Sequence, residues 1–484
     1  MTSSDSGLTA LSATALRELL RAREVSAREV LQAHLHQIER VNAAVNAVVT
    51  LTAESAAARA GELDDAIVRS GPVGPLHGIP VAHKDLVETN GVRTTYGSPL
   101  FSRNVPDRDA AVVERMAGAG AVSLGKTNTP EFGAGSQTFN QLFGATRNPY
   151  DLTKTAGGSS GGAAAALAAH MVALADGSDL GGSLRNPASF CNVVGFRPTP
   201  GLVSKWPTAS GFSYDVSGPM GRRVEDVALL LSVLAGDDPR TPFALPVDGE
   251  VFAPPLEAAR AEVRVAWSRN LGELPVATSV THVLESAGRS AMLALGWQVD
   301  EVEPDFAGAD EAFRTWRAWY QAFELGEVYR AHPDAFKPDL ADEIERGFAL
   351  GGDDLSRAER LRQGVYARVQ RLLSRYDVLA CPVSPVTPFP VEIPWVTEID
   401  GVAQHTYLDW MRCSYFVTVT TLPAVSVPCG FTDDGLPVGL QLVGRPRGDL
   451  RLLGIARAFE DATGAWRRLP ESIGSGRQPG SAPA

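Results

Sequence analysis

Two Gly-Gly-Ser segments, separated by an alanine-rich stretch, constrain this chain more than any other feature of its sequence. The stretch TAGGSSGGAAAALAAHMVALADGSDLGGSLRNPAS covers residues 155–189, with Gly-Gly-Ser at residues 157–159 and again at residues 181–183. Glycine has no Cβ, so it marks positions where the backbone bends sharply or approaches another group closely. The sequence therefore predicts two tight turns, each ending in a serine, joined by a helix of very small residues.

Segments with the apolar spacing of helices alternate with short apolar runs typical of strands. Helical spacing dominates residues 8–65, and the small residues 163–175 predict a further, buried helix. Buried strands are predicted at RYDVLACPV, at PAVSVPCGF and, later, at GLPVGLQLVGRP. This alternation favours an α/β fold.

The charge balance argues against a nucleic-acid partner. The 484 residues include 44 Lys and Arg against 56 Asp and Glu, a formal net charge of −12, and no run of basic residues. Binding to a phosphate backbone depends on clustered lysines and arginines. The hydrophobic share of 44% suffices for a large core.

The cysteines and the N-terminal sequence predict a cytoplasmic protein that does not enter a membrane. The chain has four cysteines, and none forms a CxxC pair. In a chain of this length they are typical of reduced, buried residues. The first residues show no basic segment followed by an apolar one, and no apolar run reaches the roughly 18 residues of a membrane helix.

The second Gly-Gly-Ser turn has the composition of an oxyanion-binding loop. In the run DLGGS at residues 179–183, successive backbone N–H groups can point into one concavity and bind an oxyanion. Ser183 would then attack a carbonyl whose oxygen lies in that concavity. The ordinary alternative is a glycine turn with a surface serine, and this motif alone does not decide between them.

A serine nucleophile needs a base, and Lys84 is the candidate that the sequence offers. None of the eight histidines lies in a recognisable catalytic context. Lys84 follows the apolar run GIPVA, and a desolvated lysine has a lowered pKa and can act as a base. The alternatives are that Lys84 pairs with Asp85 or extends to solvent. Ser159 would carry the proton from Ser183 to Lys84.

Taken together, these motifs resemble the amidase signature family. The resemblance rests on HGIP leading to Lys84-Asp85, GKTN at 125–128 leading to EF at 131–132, GGSSGG at 157–162, GSDLGGSLR at 177–185 with Pro187, and CNVVG at 191–195. It runs from about residue 8 to about residue 465, and it is strongest over residues 75–220.

The resemblance implies a single large α/β domain, with a mixed central sheet covered by helices on both faces. We expect this domain to span residues 1–473, with a disordered tail at 474–484. Within it we expect N-terminal helices (8–65), a catalytic core (75–235), a variable substrate-side region (240–345) and C-terminal strands and a helix (375–465).

The resemblance also implies a role for each residue of the site. Ser183 would be the nucleophile that forms an acyl-enzyme, Ser159 the bridging serine after a cis peptide bond, and Lys84 the neutral base. The implied oxyanion hole consists of the backbone N–H groups of Leu180, Gly181, Gly182 and Ser183. Supporting roles fall to Ser160, Asp179 and Arg185. A loop containing Gly133, Gly135, Ser136 and Gln137 is expected to border the substrate.

The implied reaction is hydrolysis of the C–N bond of a small apolar carboxamide by a monomer or homodimer. Carbamates and esters would suit the same relay. No cofactor and no metal are expected, because the chain has neither an HExxH motif nor a cysteine–histidine cluster. In FRTWRAWYQAF, at residues 313–323, most aromatic side chains are expected in the core, with one or two lining the pocket.

Three other interpretations remain open. The first is the glutamine-hydrolysing subunit of a tRNA-dependent amidotransferase, although Thr129-Pro130 stands where that subunit usually has Met-Asp. The second is a nucleophile elbow at Ser159, which requires a strand before it and a late histidine such as His405. The third is the S-x-x-K pattern from Ser123 to Lys126, which is short enough to arise by chance.

Overall fold

The computed structural model describes residues 5–208, 211–259 and 262–471. The predicted disordered tail at 474–484 lies outside these ranges.

Seventeen strands are present in the described residues. They are β1 (Val48–Leu51), β2 (Pro80–Lys84), β3 (Val122–Thr127), β4 (Phe139–Asn140), β5 (Gly144–Ala145), β6 (Arg147–Asn148), β7 (Asp151–Thr155), β8 (Leu174–Asp179), β9 (Val194–Arg197), β10 (Val216–Gly221), β11 (Arg264–Trp267), β12 (Gln298–Glu301), β13 (Val378–Pro382), β14 (Glu398–Ile399), β15 (Val402–Ala403), β16 (Ala424–Phe431) and β17 (Pro437–Gly444).

Fifteen α-helices are present in the same ranges. They are α1 (Asp5–Ala10), α2 (Ala13–Ala22), α3 (Ala27–Val45), α4 (Ala53–Ser70), α5 (Ala111–Gly118), α6 (Gly161–Ala168), α7 (Arg185–Phe190), α8 (Val224–Leu234), α9 (Thr278–Val283), α10 (Ser290–Ala294), α11 (Ala309–Ala331), α12 (Pro338–Ala349), α13 (Gly352–Leu373), α14 (Arg412–Val419) and α15 (Asp449–Thr463). A π-helical segment, Leu284–Arg289, joins α9 to α10.

Eleven strands form one mixed sheet in the order β1-β3-β2-β8-β10-β9-β16-β17-β13-β11-β12. β3, β2 and β8 are parallel, as are β13, β11 and β12, and the remaining neighbours are antiparallel. The other strands form three small two-stranded sheets. β2 and β8, which carry Lys84 and Asp179, are therefore neighbours inside the large sheet.

Helices cover both faces of this sheet. Along β13, Val378 and Ala380 pack into one hydrophobic core, whereas Leu379 and Cys381 pack into another. Successive side chains of a strand point to opposite faces, so each core belongs to one face. The first core includes residues of α3, α6, α8 and α15, and the second includes residues of α11, α13 and α14. The predicted single-domain α/β fold is confirmed.

The helix predicted over residues 163–175 is wrong in its second half. α6 ends at Ala168, His170 has a left-handed backbone with φ of 57°, and the chain enters β8 at Leu174. Where every residue is small and apolar, periodicity does not distinguish a buried helix from a buried strand. The helical region predicted over residues 8–65 is likewise interrupted, by β1.

None of the helices in the described ranges combines the length and the hydrophobicity that crossing a membrane requires.

Candidate active site

Lys84 ends β2 inside the protein, with no exposed surface. Its Nζ donates hydrogen bonds to Ser159 Oγ at 2.7 Å and to Ser178 Oγ at 3.0 Å. Burial lowers the pKa of Lys84 to about 7, although attraction to Asp215 opposes the shift. Asp85 instead accepts hydrogen bonds from Thr95. The structure thus has a buried lysine bonded to hydroxyls, not a Lys84–Asp85 pair.

Ser159 reaches Lys84 because the first Gly-Gly-Ser turn packs tightly against its surroundings. The Gly158–Ser159 peptide bond is cis, and α6 begins two residues later at Gly161. A Cβ added to Gly158 would lie 2.9 Å from the backbone nitrogen of Gln137, so no larger residue fits there.

The two Gly-Gly-Ser turns meet directly. The backbone N–H of Ser160 donates to the backbone carbonyl of Ser183 at 3.2 Å. The Ser160 hydroxyl is bonded to the backbone of Ser178 on β8 rather than to the site. The alanine helix between the turns returns the chain, so that both serines border one space.

The second turn presents backbone donors to that space. Among the described residues, the amides of Leu180, Gly181 and Ser183 have no protein acceptor. The amide of Gly182 differs, because it donates to Asp179 Oδ1 at 2.9 Å. Of the four amides predicted to bind an oxyanion, three therefore lack a protein acceptor, and the carboxylate at the end of β8 binds the fourth.

Asp179 and two arginines hold this turn. The carboxylate of Asp179, which is fully buried, also accepts from the amide of Leu184 at 3.2 Å. Its salt bridges to Arg185 and Arg197 measure 2.9 and 3.2 Å. Burial alone would raise the pKa of Asp179, but the two arginines hold it well below its usual range.

Of the two hydrogen bonds that a relay from Ser183 to Lys84 requires, the structure contains the one between Lys84 and Ser159. Ser159 and Ser183 line the same cavity and are 2% and 6% exposed. Across the described part of the chain, however, the Ser183 hydroxyl makes no hydrogen bond, so the link from Ser183 to Ser159 is not formed here. A substrate carbonyl would have to be attacked from this unbonded hydroxyl.

The predicted substrate loop divides into two parts. Gly133 and Gly135 line the cavity, and a Cβ on Gly133 would lie 3.7 Å from Ser159 Oγ. Ser136 and Gln137 instead bond to the protein, since Ser136 Oγ donates to the Gly158 carbonyl and Gln137 Nε2 to the Val391 carbonyl. Neither side chain lines the cavity, because both are buried in these hydrogen bonds, and only the glycines of the loop border it.

The central cavity that contains these serines has a volume of about 420 Å³. Its apolar lining includes Leu86, Val87, Tyr96, Phe101, Val112 and Phe132. Its polar lining includes Lys205, Asp215, Arg317, Tyr320, Gln321 and Glu324. The site therefore suits a molecule with a substantial apolar part.

Four of these polar residues come from α11. Tyr320 is the one aromatic residue of the run at 313–323 that lines the cavity; its hydroxyl donates to Asp215 at 3.2 Å. Asp215 also pairs with Lys205 at 2.5 Å. Phe313 is buried against the second Gly-Gly-Ser turn, 3.0 Å from where a Cβ of Gly181 would lie. Phe323 is exposed.

Histidine chemistry finds no support in this geometry. A strand, β7, does precede Ser159, but it forms a ladder with β6 and a single bridge from Lys154 to Pro390, both outside the large sheet. His405 is exposed and does not line the cavity. Lys126 bonds to Thr89 Oγ1 at 2.9 Å and not to Ser123. Lys84 is therefore the base that the geometry offers to Ser159.

A family model described as Amidase matches residues 29–453. The chain belongs to the amidase signature family. It is 36% identical to an acylamidase from Rhodococcus erythropolis, over 93% of this chain and 95% of that protein. It is 38% identical to a glutamyl-tRNA(Gln) amidotransferase subunit from Moorella thermoacetica, over 95% of this chain and 98% of that protein.

Solved structures agree with this membership. A bacterial aryl acylamidase of the amidase signature family superposes with a TM-score of 0.90 at 28% identity, covering 97% of this chain and 99% of that one. As a member of the family, this chain is a hydrolase of amide bonds.

Three contacts of this amidase were not predicted from its sequence. Ser178 bonds to Lys84, Arg197 bonds to Asp179, and Gln321 lines the cavity while only 7% exposed. Ser178 lies inside the GSDLGGSLR motif, so strand alternation next to Asp179 could have singled it out. Arg197 and Gln321 lie outside the motifs, and only the fold brings them to the site.

Proposed function

We propose that this amidase hydrolyses apolar acyl amides, aryl amides among them, through an acyl-enzyme on Ser183 with Lys84 as the base. Ser183 Oγ attacks the carbonyl carbon, and its proton passes through Ser159 to the neutral amine of Lys84. The amides of Leu180, Gly181 and Ser183 stabilise the oxyanion.

The same groups complete the reaction. The proton taken up by Lys84 returns through Ser159 to the nitrogen of the leaving amine, and the C–N bond breaks. Water then attacks the Ser183 ester and gives a proton to the relay, which returns it to Ser183 Oγ as the acyl C–O bond breaks and the carboxylic acid leaves. Protons and electrons balance without a metal or a cofactor.

The observation that carries this proposal is the hydrogen bond of 2.7 Å between Lys84 Nζ and Ser159 Oγ in a buried site. A lysine with a pKa of about 7 is largely neutral at slightly alkaline pH and can accept a proton there. The aromatic lining of Tyr96, Phe101 and Phe132, together with the likeness to an acylamidase and an aryl acylamidase, supports apolar substrates. The four unpaired, buried cysteines favour a reducing compartment such as the cytoplasm.

A second candidate is glutamine hydrolysis for an amidotransferase, which the likeness to the Moorella thermoacetica protein favours. The apolar part of the cavity favours an acyl amide instead, whereas the charged groups of glutamine could contact only the polar part, where Lys205 and Asp215 already pair. Carbamates and esters would react by the same steps.

The test is to assay the purified chain alone on an acyl p-nitroanilide, benzamide, an aryl carbamate and glutamine, with Ser183→Ala as the control. Turnover of the anilide that Ser183→Ala abolishes supports the proposal. Turnover of glutamine alone would contradict it and favour the amidotransferase function.

A further inference from the structure

A second buried polar group, formed by His83 and Asp176, lies next to Lys84 in the sheet. His83 and Lys84 are consecutive in β2, so their side chains leave opposite faces of the strand. His83 is 2% exposed and Asp176, on the neighbouring β8, is fully buried. His83 Nδ1 and Asp176 Oδ2 are 2.5 Å apart. The serine relay uses neither side chain.

Asp176 also holds the main chain of Lys84. The backbone N–H of Lys84 donates to Asp176 Oδ1 at 3.0 Å. The parallel pairing of β2 with β8 ends at Ala82 and Ala175. At Lys84, the side chain of Asp176 therefore replaces a backbone carbonyl as the acceptor. On the other side, the pairing of β2 with β3 is irregular between Val81 and His83. Irregular pairing re-aims side chains, and Asp176 fixes the strand at this point.

β8 thus contacts Lys84 through two residues. Asp176 binds its backbone, and Ser178, two residues further along the same strand, binds its Nζ. Burying an ionisable pair is costly in free energy unless its hydrogen bonds are satisfied. Both oxygens of Asp176 have donors here, one from His83 and one from Lys84.

We propose that the buried His83–Asp176 pair positions Lys84 and keeps a negative charge behind it, which sets the pH range in which Lys84 acts as a base. This inference rests on the proposed function, because it assigns a role relative to Lys84. His83 donates to Asp176 and so fixes the carboxylate that binds the strand.

The charges around Lys84 determine the sign of the effect. Attraction to Asp176, Asp179 and Asp215 raises the pKa of Lys84, whereas repulsion from Lys205 and, above all, burial lower it. Asp176 also attracts Lys126, the residue that pairs with His83 on β3. Removing the charge of Asp176 therefore lowers the pKa of Lys84 and weakens it as a base.

The test is the pH dependence of kcat/KM for an acyl p-nitroanilide in Asp176→Asn. This variant keeps the shape and an oxygen acceptor for the Lys84 amide but loses the charge. We expect the acidic limb to move to lower pH, with a lower plateau. The matched control is Asp226→Asn, a fully buried carboxylate on α8 that binds Thr14 and does not line the cavity. Its acidic limb should stay in place even where its thermal stability falls.

Variants of His83 test the inference independently if Asp176→Asn does not fold. His83→Asn keeps a donor for Asp176 and should retain the wild-type acidic limb. His83→Leu leaves the buried carboxylate without that donor and should move the limb to lower pH, as Asp176→Asn does. An unmoved limb in both Asp176→Asn and His83→Leu, with a loss of stability like that of Asp226→Asn, would show a purely structural pair and overturn the inference. A wild-type chain that leaves the anilide intact would instead defeat the proposed function.

Discussion

At the scale of single residues, the site depends on where Lys84 is placed. A charged Lys84 would lose its hydration at this buried strand end, where its partners Ser159 and Ser178 are neutral hydroxyls. Such surroundings favour the uncharged amine, which is the form that a base requires. A partly exposed lysine such as Lys205, paired with Asp215, would not serve in the same way.

The burial of Lys84 should be measurable as a stability effect. Its pKa is about 7 in the folded chain and near 10.5 in the unfolded one, so the unfolded chain binds the extra proton between these values. The penalty for keeping the lysine is therefore absent above pH 10.5, grows as the pH falls and is complete below 7. We expect Lys84→Met to gain stability over wild type by up to about 1.4 kcal/mol for each pH unit through this window, measured by urea unfolding. A gain that does not vary with pH would contradict a neutral Lys84.

Local motifs identified Lys84, Ser159 and Ser183 because each lies in a short, glycine-rich or apolar run with its own physical reason. Ser178 and Lys84 are 94 residues apart, and their contact exists only because β2 and β8 are neighbours. The same holds for Asp176. Sequence reasoning identified candidate residues, but the pairing of distant strands decides what surrounds them.

At the scale of elements, β8 and the turn after it form the working unit of the site. β8 supplies Asp176, Ser178 and Asp179, and the turn supplies the free amides and Ser183. Asp179 fastens the turn through two backbone amides and two buried arginines. These contacts stabilise the turn, whose glycines alone would leave its backbone free to adopt other conformations.

Asp179→Asn should therefore damage both stability and activity. The change leaves the charges of Arg185 and Arg197 uncompensated inside the protein, for which we expect a loss of about 3–5 kcal/mol in unfolding free energy. Activity on the anilide should fall as the oxyanion loop loosens. Urea unfolding and kcat/KM measure the two effects.

The matched control is Asp64→Asn. Asp64 also accepts backbone N–H bonds, from Ala27 and Arg28, but it lies near the surface, away from the cavity. We expect a loss of about 1 kcal/mol and unchanged activity. Equal losses in the two variants would contradict the special role of Asp179.

At the scale of the whole molecule, one sheet separates two hydrophobic cores. The alternation of strands and helices predicted the α/β class, but not the strand order, in which β17 lies between β16 and β13 and β11 follows β13. The pairings of β17 with β13 and of β13 with β11 join segments far apart in sequence, and nothing local in these strands specifies the partner. The boundary of α6 was missed for a related reason, since only the sheet shows that residues after Met171 extend into a strand.

Each core buries two of the four cysteines. Cys191 and Cys429 belong to the first core, and Cys381 and Cys413 to the second. Burial raises the pKa of all four thiols, so none is ionised at neutral pH. Ellman's reagent should find no reactive thiol in the native chain and four after guanidinium unfolding without reductant. Fewer than four would reveal a disulfide, against the structure.

The most direct test of the account is the pH dependence of kcat/KM for one acyl p-nitroanilide, from pH 5 to pH 10, in wild type and Lys84→Ala. If Lys84 is the base, wild-type activity rises through a limb near pH 7 as the amine loses its proton. Lys84→Ala should then fall by about a thousandfold or more across the range. Activity that survives in Lys84→Ala at neutral pH would contradict the relay from Ser183 through Ser159 to Lys84.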